Sequence, residues 1–179
     1  MGAERGETAV EQKKITCCFT GHRPSKLPWG EDERDPRCLA LKRALAQKIE
    51  TAYEKGYRHF ICGMALGCDF YFCEAVLELR EKYPDLRMEG AVPCPTQADG
   101  WSKEHRARYQ SLLNRCDWET LVQHHYDPGC MMRRNRYMVD HSSRIIAVYD
   151  GTAGGTRNTL AYAMKSGLET DILDLETFV

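Results

Sequence analysis

Residues 144–163 decide the fold: Arg144-Ile145-Ile146-Ala147-Val148-Tyr149, then Asp150-Gly151-Thr152-Ala153-Gly154-Gly155-Thr156, then Arg157-Asn158-Thr159-Leu160-Ala161-Tyr162-Ala163. A β-branched apolar run stops at a glycine cluster and restarts as an alanine-bearing segment, which reads as strand, tight loop and helix. The loop therefore opens a helix. The first backbone N–H groups there have no intrahelical partner, the helix dipole favours an anion, and residues without a Cβ let a phosphate approach the main chain. The loop has neither the lysine of a P-loop nor the glycine spacing of the dinucleotide fingerprint. A phosphate cradle and a plain glycine-rich βα turn both remain open on this stretch alone.

Outward from it, the same alternation recurs. A first strand is predicted at 15–20, followed by Gly21-His22-Arg23-Pro24 and a long loop through Trp29 to Pro36. A long loop with Arg, His and Trp at a strand's C-terminal end stands where α/β folds bind ligands. Leu41, Leu45, Ile49 and Ala52 recur at helical spacing and predict a helix over 38–55, stopped by Gly56. A short strand at 58–62 ends in a second glycine-bearing turn, Gly63-Met64-Ala65-Leu66-Gly67-Cys68-Asp69, and a helix then runs to about Tyr83 before Pro84. Further strands are predicted at 86–92, 118–123 and 172–175, and helices at 101–115 and 131–142. Residues 1–14 are polar and aperiodic and are expected to form a flexible tail, with 15–179 as one domain. Strand and helix alternating throughout imply a single Rossmann-like three-layer α/β domain, with a mostly parallel sheet and helices on both faces.

Composition narrows the class of function. The 179 residues are ordinary for one domain, with 42% hydrophobic content. A net charge of −1 and a pI near 6.6 argue against a chain-wide nucleic-acid footprint. Nine cysteines, an odd number with no secretory segment before them, read as reduced and mostly buried thiols of a cytoplasmic protein. Cys62, Cys68 and Cys73 are the nearest cluster, but no C-x-x-C pair and no suitably spaced histidine accompany them, so no metal is expected. No apolar run approaches the roughly 18 to 20 residues of a membrane span.

Four motifs in order carry a family resemblance: Thr20-Gly21-His22-Arg23-Pro24, Gly63 to Asp69, Arg134-Asn135-Arg136-Tyr137-Met138-Val139-Asp140, and Asp150 to Thr156. Together they resemble the YpsA-like branch of the SLOG superfamily, which groups Rossmann-like domains of the Smf/DprA and LOG types. The resemblance covers roughly residues 15–175 and implies a site for a nucleotide or nucleotide-derived ligand such as AMP, NAD or ADP-ribose. LOG enzymes are phosphoribohydrolases with the motif Arg-Lys-x-x-Met, an apolar strand, then Pro-Gly-Gly-x-Gly-Thr-x-x-Glu. In that frame the Arg falls on Arg134, the Lys on Asn135, the Met on Met138 and the Gly-Thr on Gly155-Thr156, while the closing Glu falls on Thr159. Cleaving an N-glycosidic bond builds oxocarbenium-like charge that needs a carboxylate, and a threonine cannot supply one. Asp69, Asp140 and Asp150 are the acids that could replace it.

The resemblance thus implies a binding or sensing protein more than an enzyme, with Gly21, His22, Arg23, Gly63, Gly67, Asp69, Arg134, Asn135, Asp150, Gly151, Gly154, Gly155 and Thr156 around the ligand. A homo-oligomer or protein partner is expected, nucleic acid is not. The alternatives are a LOG-like hydrolase and a DprA-like single-stranded DNA binder using Arg133, Arg134 and Arg136. Individual residues carry two readings each. Arg134 is a bidentate phosphate ligand or a solvated helix charge. His22 and Arg23 reach the pocket or stabilise their loop. Asp69 holds a ribose hydroxyl or caps a helix. Trp29 and Trp101 stack a base or simply pack.

Overall fold

The computed structural model describes residues 2–179, with side chains at residue 6 and from residue 8 onward. Six strands form one sheet: β1 (Thr16–Thr20), β2 (His59–Cys62), β3 (Arg87–Val92), β4 (Trp118–Leu121), β5 (Arg144–Tyr149) and β6 (Glu169–Asp174). Every pairing is parallel and the order is β4-β3-β2-β1-β5-β6. The helices are α1 (Gly2–Lys14), α2 (Pro36–Glu54), α3 (Cys68–Leu79), α4 (Lys103–Arg115), α5 (Cys130–Asp140) and α6 (Gly155–Lys165).

The period-2 alternation of the strands divides the core in two. Cys17, Phe19, Phe60, Cys62, Ile146 and Val148 face α2 and α3, joined by Leu41, Leu45, Ile49, Phe70 and Phe72. Cys18, Ile61, Ala91, Ile145 and Ala147 face the other way, onto Met138 and Val139 of α5 and Leu160 and Ala163 of α6. Both faces of the inner strands are covered, which explains why β1 and β5 read as continuous apolar runs. Helix α2 starts at the Asp35 cap, whose carboxylate accepts from the Arg37 amide, with Pro36 at the first position. It buries Leu41, Leu45, Ile49 and Ala52, as their spacing predicts.

Three elements depart from the sequence reading by more than two residues. Residues 2–14, expected as a tail, are helical: alanine, glutamate, glutamine and lysine favour helix intrinsically, but without an apolar stripe they give no periodic signal. The helix is tied down by Gln12, whose side-chain amide lies 3.0 Å from His59 Nδ1. Helix α3 stops at Leu79 and the chain turns before Pro84. Strand β6 begins at Glu169, because its polar half is held by charge: Arg144 on β5 pairs with Glu169 and, at 2.7 Å, with Asp171. All nine cysteines are unbridged and eight are buried. No described helix is long and apolar enough to cross a membrane.

Candidate functional site

Strand order sets the location. β1 and β5 are neighbours, yet β1 leads into α2 on one face of the sheet and β5 into α6 on the other. The two connections diverge at the carboxyl ends of these strands, and such a switch point leaves the crevice where parallel α/β folds bind ligands. A cavity of about 230 Å³ lies there.

One wall is the turn after β5. Gly151 and Gly154 adopt positive φ (84° and 149°), conformations that L side chains rarely take. Asp150 shapes the turn: its Oδ1 accepts from the Thr152 amide (2.9 Å), the Thr152 hydroxyl (2.6 Å) and His22 Nε2 (2.7 Å). Burial works to raise this carboxyl, but the Thr152 bonds and then His22 outweigh it and hold the pKa at about 2. Gly154 occupies the cap position of α6 and offers no side-chain oxygen to its first amides. A Cβ placed on Gly155 would meet nothing within 4 Å, so the main chain faces open space. Thr156 lines the cavity with its hydroxyl 3.5 Å from His22 Nδ1.

The opposite wall is the loop after β1. His22 is buried, Arg23 is exposed, and Lys26 reaches across to donate to the Ala153 carbonyl (2.7 Å) and the Thr152 hydroxyl (3.3 Å). The loop can lie this close to α3 because Gly21 and Gly67 lack side chains. A Cβ on Gly21 would stand 2.6 Å from Cys68 Cβ, and one on Gly67, where φ is 89°, would stand 2.8 Å from the His22 carbonyl.

Asp69 and Arg134 form the floor. Arg134 is only 4% exposed: Nη1 donates to the carbonyls of Gly63 and Ala91, the latter at 3.2 Å, and Nε donates to Asn135 Oδ1 at 2.9 Å. Its guanidinium packs against Gly63, where a Cβ would be 2.4 Å from Cζ. Burial pulls the Arg134 pKa down and the Asp69 charge opposes this. Asp69 accepts from the Ala65 amide at 3.0 Å, closing the loop before α3 without capping that helix. Burial raises its pKa, while the Arg134 charge draws it back.

Nine of the thirteen residues that the sequence points to therefore line one cavity: Gly21, His22, Arg23, Asp69, Arg134, Asn135, Gly154, Gly155 and Thr156. Asp150 stands behind His22, Gly151 shapes its turn, and Gly63 and Gly67 make room for neighbours. Trp29 is a core residue, whereas Trp101 is half-buried against Phe70 and Tyr109. Thr159 is 2% exposed and its hydroxyl bonds back to the Gly155 carbonyl at 2.8 Å. Asp140 accepts from Tyr162 and borders a separate groove. Lys26 and Ser25, which also line the cavity, were not singled out by the sequence. The signal for Lys26 was a cation in the long loop at the end of β1. No group of His, Cys, Asp and Glu suited to a metal occurs among the described residues.

The fold and crevice define a Rossmann-like protein with a cavity of mixed polar and apolar lining at its topological switch point. The YpsA family model, described as the YspA SLOG family, matches residues 17–177, and the chain belongs to this family. Among its relatives, the SPbeta prophage-derived protein YoqJ of Bacillus subtilis (strain 168) is 36% identical over 148 residues, covering 75% of this chain and 86% of YoqJ. A UPF0398 protein of Bacillus thuringiensis (strain Al Hakam) is 27% identical, covering 82% of this chain and 80% of its own. Among solved structures, DNA processing protein A of Helicobacter pylori superposes with a TM-score of 0.60 at 14% identity, over 95% of this chain and 73% of that one. The Streptococcus pneumoniae homologue gives 0.58 at 16% identity, over 90% and 50%. These two likenesses concern the fold.

Proposed function

We propose that this protein binds a nucleotide or nucleotide-derived small molecule, with a phosphate group received by the Gly154-Gly155-Thr156 turn, and that it works as a binding or sensing protein. The observation that carries the reading is the first turn of α6: amides without a side-chain cap open into a cavity that also receives Arg23, Lys26, His22 and Arg134. Thr156 adds a hydroxyl donor, and Lys26, held to the loop by Ala153, supplies a nearby positive charge that the loop itself lacks. A thermal-shift panel of AMP, ADP, ATP, NAD, ADP-ribose and cyclic nucleotides tests it. A true ligand at a hundredfold excess over Kd stabilises by about 2.7 kcal/mol; no shift with any of them rejects the reading.

A second reading, hydrolysis of a nucleoside monophosphate, is favoured by Asp69, a buried carboxyl of raised pKa in the cavity. Against it stands Thr159, whose hydroxyl is committed to the helix backbone at the position where LOG enzymes carry a glutamate. Incubation with AMP is expected to release no adenine; turnover of order 1 per second that disappears in Asp69→Asn would establish the enzyme.

The Helicobacter pylori protein binds single-stranded DNA, which brings a third reading to this fold. The arginines that would serve it are engaged here: Arg133 pairs with Asp127, Arg134 is buried, and Arg136 lies over the Tyr162 ring at 5.5 Å.

A further inference from the structure

A second cavity of about 220 Å³ adjoins the first, and the two share Arg23 and Ser25 in their linings. Its remaining walls are Pro24, Leu66, Trp101 and Glu31. Resting on the nucleotide reading above, we infer that this second cavity receives the base of the ligand, stacked on Trp101, and that Glu31 selects a base bearing an exocyclic amino group.

Trp101 is held for such a contact. Its ring meets Phe70 edge-to-face at 6.0 Å and Tyr109 at 5.3 Å, with interplanar angles of 76° and 83°. These contacts fix the indole while leaving it half-buried at the cavity wall. A preset aromatic ring loses little conformational freedom when a base stacks on it. Leu66, also half-buried, supplies apolar surface to the same cavity.

The polar groups complement the parts of a nucleotide. Arg23 borders both cavities, and among the described residues its guanidinium has no hydrogen-bond or ion-pair partner, so it is available where a phosphate joins a ribose. Glu31 accepts no side-chain hydrogen bond among the described residues, and His105 Nε2 lies 3.9 Å from its carboxylate. An ionised carboxylate only accepts. It matches the amino group of adenine, guanine or cytosine, and it opposes the carbonyl that hypoxanthine carries where adenine has its amine.

The test is calorimetric titration of wild type, Trp101→Ala, Trp101→Phe and Glu31→Gln with AMP, IMP and ribose 5-phosphate. Stacking on a single aromatic residue typically changes affinity by about ten- to a hundredfold. Trp101→Ala is therefore expected to weaken AMP by that factor while leaving ribose 5-phosphate within about twofold, and Trp101→Phe to recover most of the loss. Glu31→Gln should bring AMP and IMP closer together. Should Trp101→Ala fail to fold, Trp101→Leu, which keeps the bulk and loses the aromatic face, takes its place beside Glu31→Gln: an AMP affinity unchanged in Trp101→Leu, with an unchanged AMP-to-IMP ratio in Glu31→Gln, overturns the assignment. Equal AMP binding by wild type and Trp101→Ala overturns the base site and leaves the phosphate turn standing. Failure of both AMP and ribose 5-phosphate to bind wild type overturns the base site as drawn for a monophosphate, and the nucleotide reading itself falls when ADP, ATP, NAD, ADP-ribose and the cyclic nucleotides give no thermal shift either.

Discussion

Gly63 and Gly155 sit in two motifs that look alike in sequence, yet they perform different physical tasks. At Gly63 an added methyl would lie 2.4 Å from the Arg134 guanidinium, which is buried and bonded to the Gly63 and Ala91 carbonyls. Gly63→Ala must displace that charge and is expected to destabilise the fold by about 1 to 3 kcal/mol. At Gly155 an added methyl meets no atom within 4 Å, so Gly155→Ala should melt within a few degrees of wild type while obstructing anion approach to the first amides of α6. Thermal melts with and without AMP separate the two; a Gly155→Ala protein that keeps full AMP stabilisation would show that the turn is not the phosphate site. Asp150 carries a pH signature. Its folded pKa of about 2 lies below the ordinary 3.8, so its contribution is present in full above pH 4 and is lost as pH falls through 2. The carboxylate is partly solvated, which reduces the contribution to roughly 1 kcal/mol. Urea midpoints measured between pH 5 and 2 should fall less steeply for Asp150→Asn than for wild type, and parallel curves would contradict the assignment.

Elements announce themselves in sequence to the extent that burial is periodic. Helix α2 and the inner strands were legible because Leu41, Leu45 and Ile49 repeat at helical spacing and β1 and β5 are apolar on both faces. Helix α1 and the first half of β6 were not, because what holds them is polar and comes from other parts of the chain: Gln12 against His59, and Glu169 and Asp171 against Arg144. The cavity was legible at its glycines, His22 and Asp69. Lys26 and the burial of Arg134 were not, since both depend on which loops meet. Arg144 gives the test at this scale. It is 3% exposed and faces two carboxylates, and removing one partner of a buried pair typically costs about 3 to 5 kcal/mol. Asp171 retains Lys48 at 2.7 Å and Glu169 is half exposed, so Arg144→Leu should cost about 2 to 3 kcal/mol, read as a lower denaturation midpoint. A change below 0.5 kcal/mol would mean that the apolar half of β6 suffices to dock it.

For the molecule as a whole, a fold resembling DNA processing protein A could serve a polymer or a small ligand, and the charge distribution makes the difference testable. The net charge is −1, so any affinity for DNA must come from a local patch. With Arg133 paired, Arg134 buried and Arg136 over the Tyr162 ring, the exposed cations that line the cavity among the described residues are Arg23 and Lys26. Each phosphate neutralised on a single strand contributes about −0.7 to the slope of log affinity against log salt, so two such contacts give at most about −1.4. Anisotropy titration of a labelled oligothymidine between 50 and 200 mM salt should therefore show weak binding with a slope no steeper than that. An affinity below the micromolar range with a slope of −4 or steeper would require six or more phosphate contacts. Arg133 and Arg136 would then have to leave their partners and turn outward, and this protein would belong functionally with the Helicobacter pylori single-stranded DNA binder that its fold resembles.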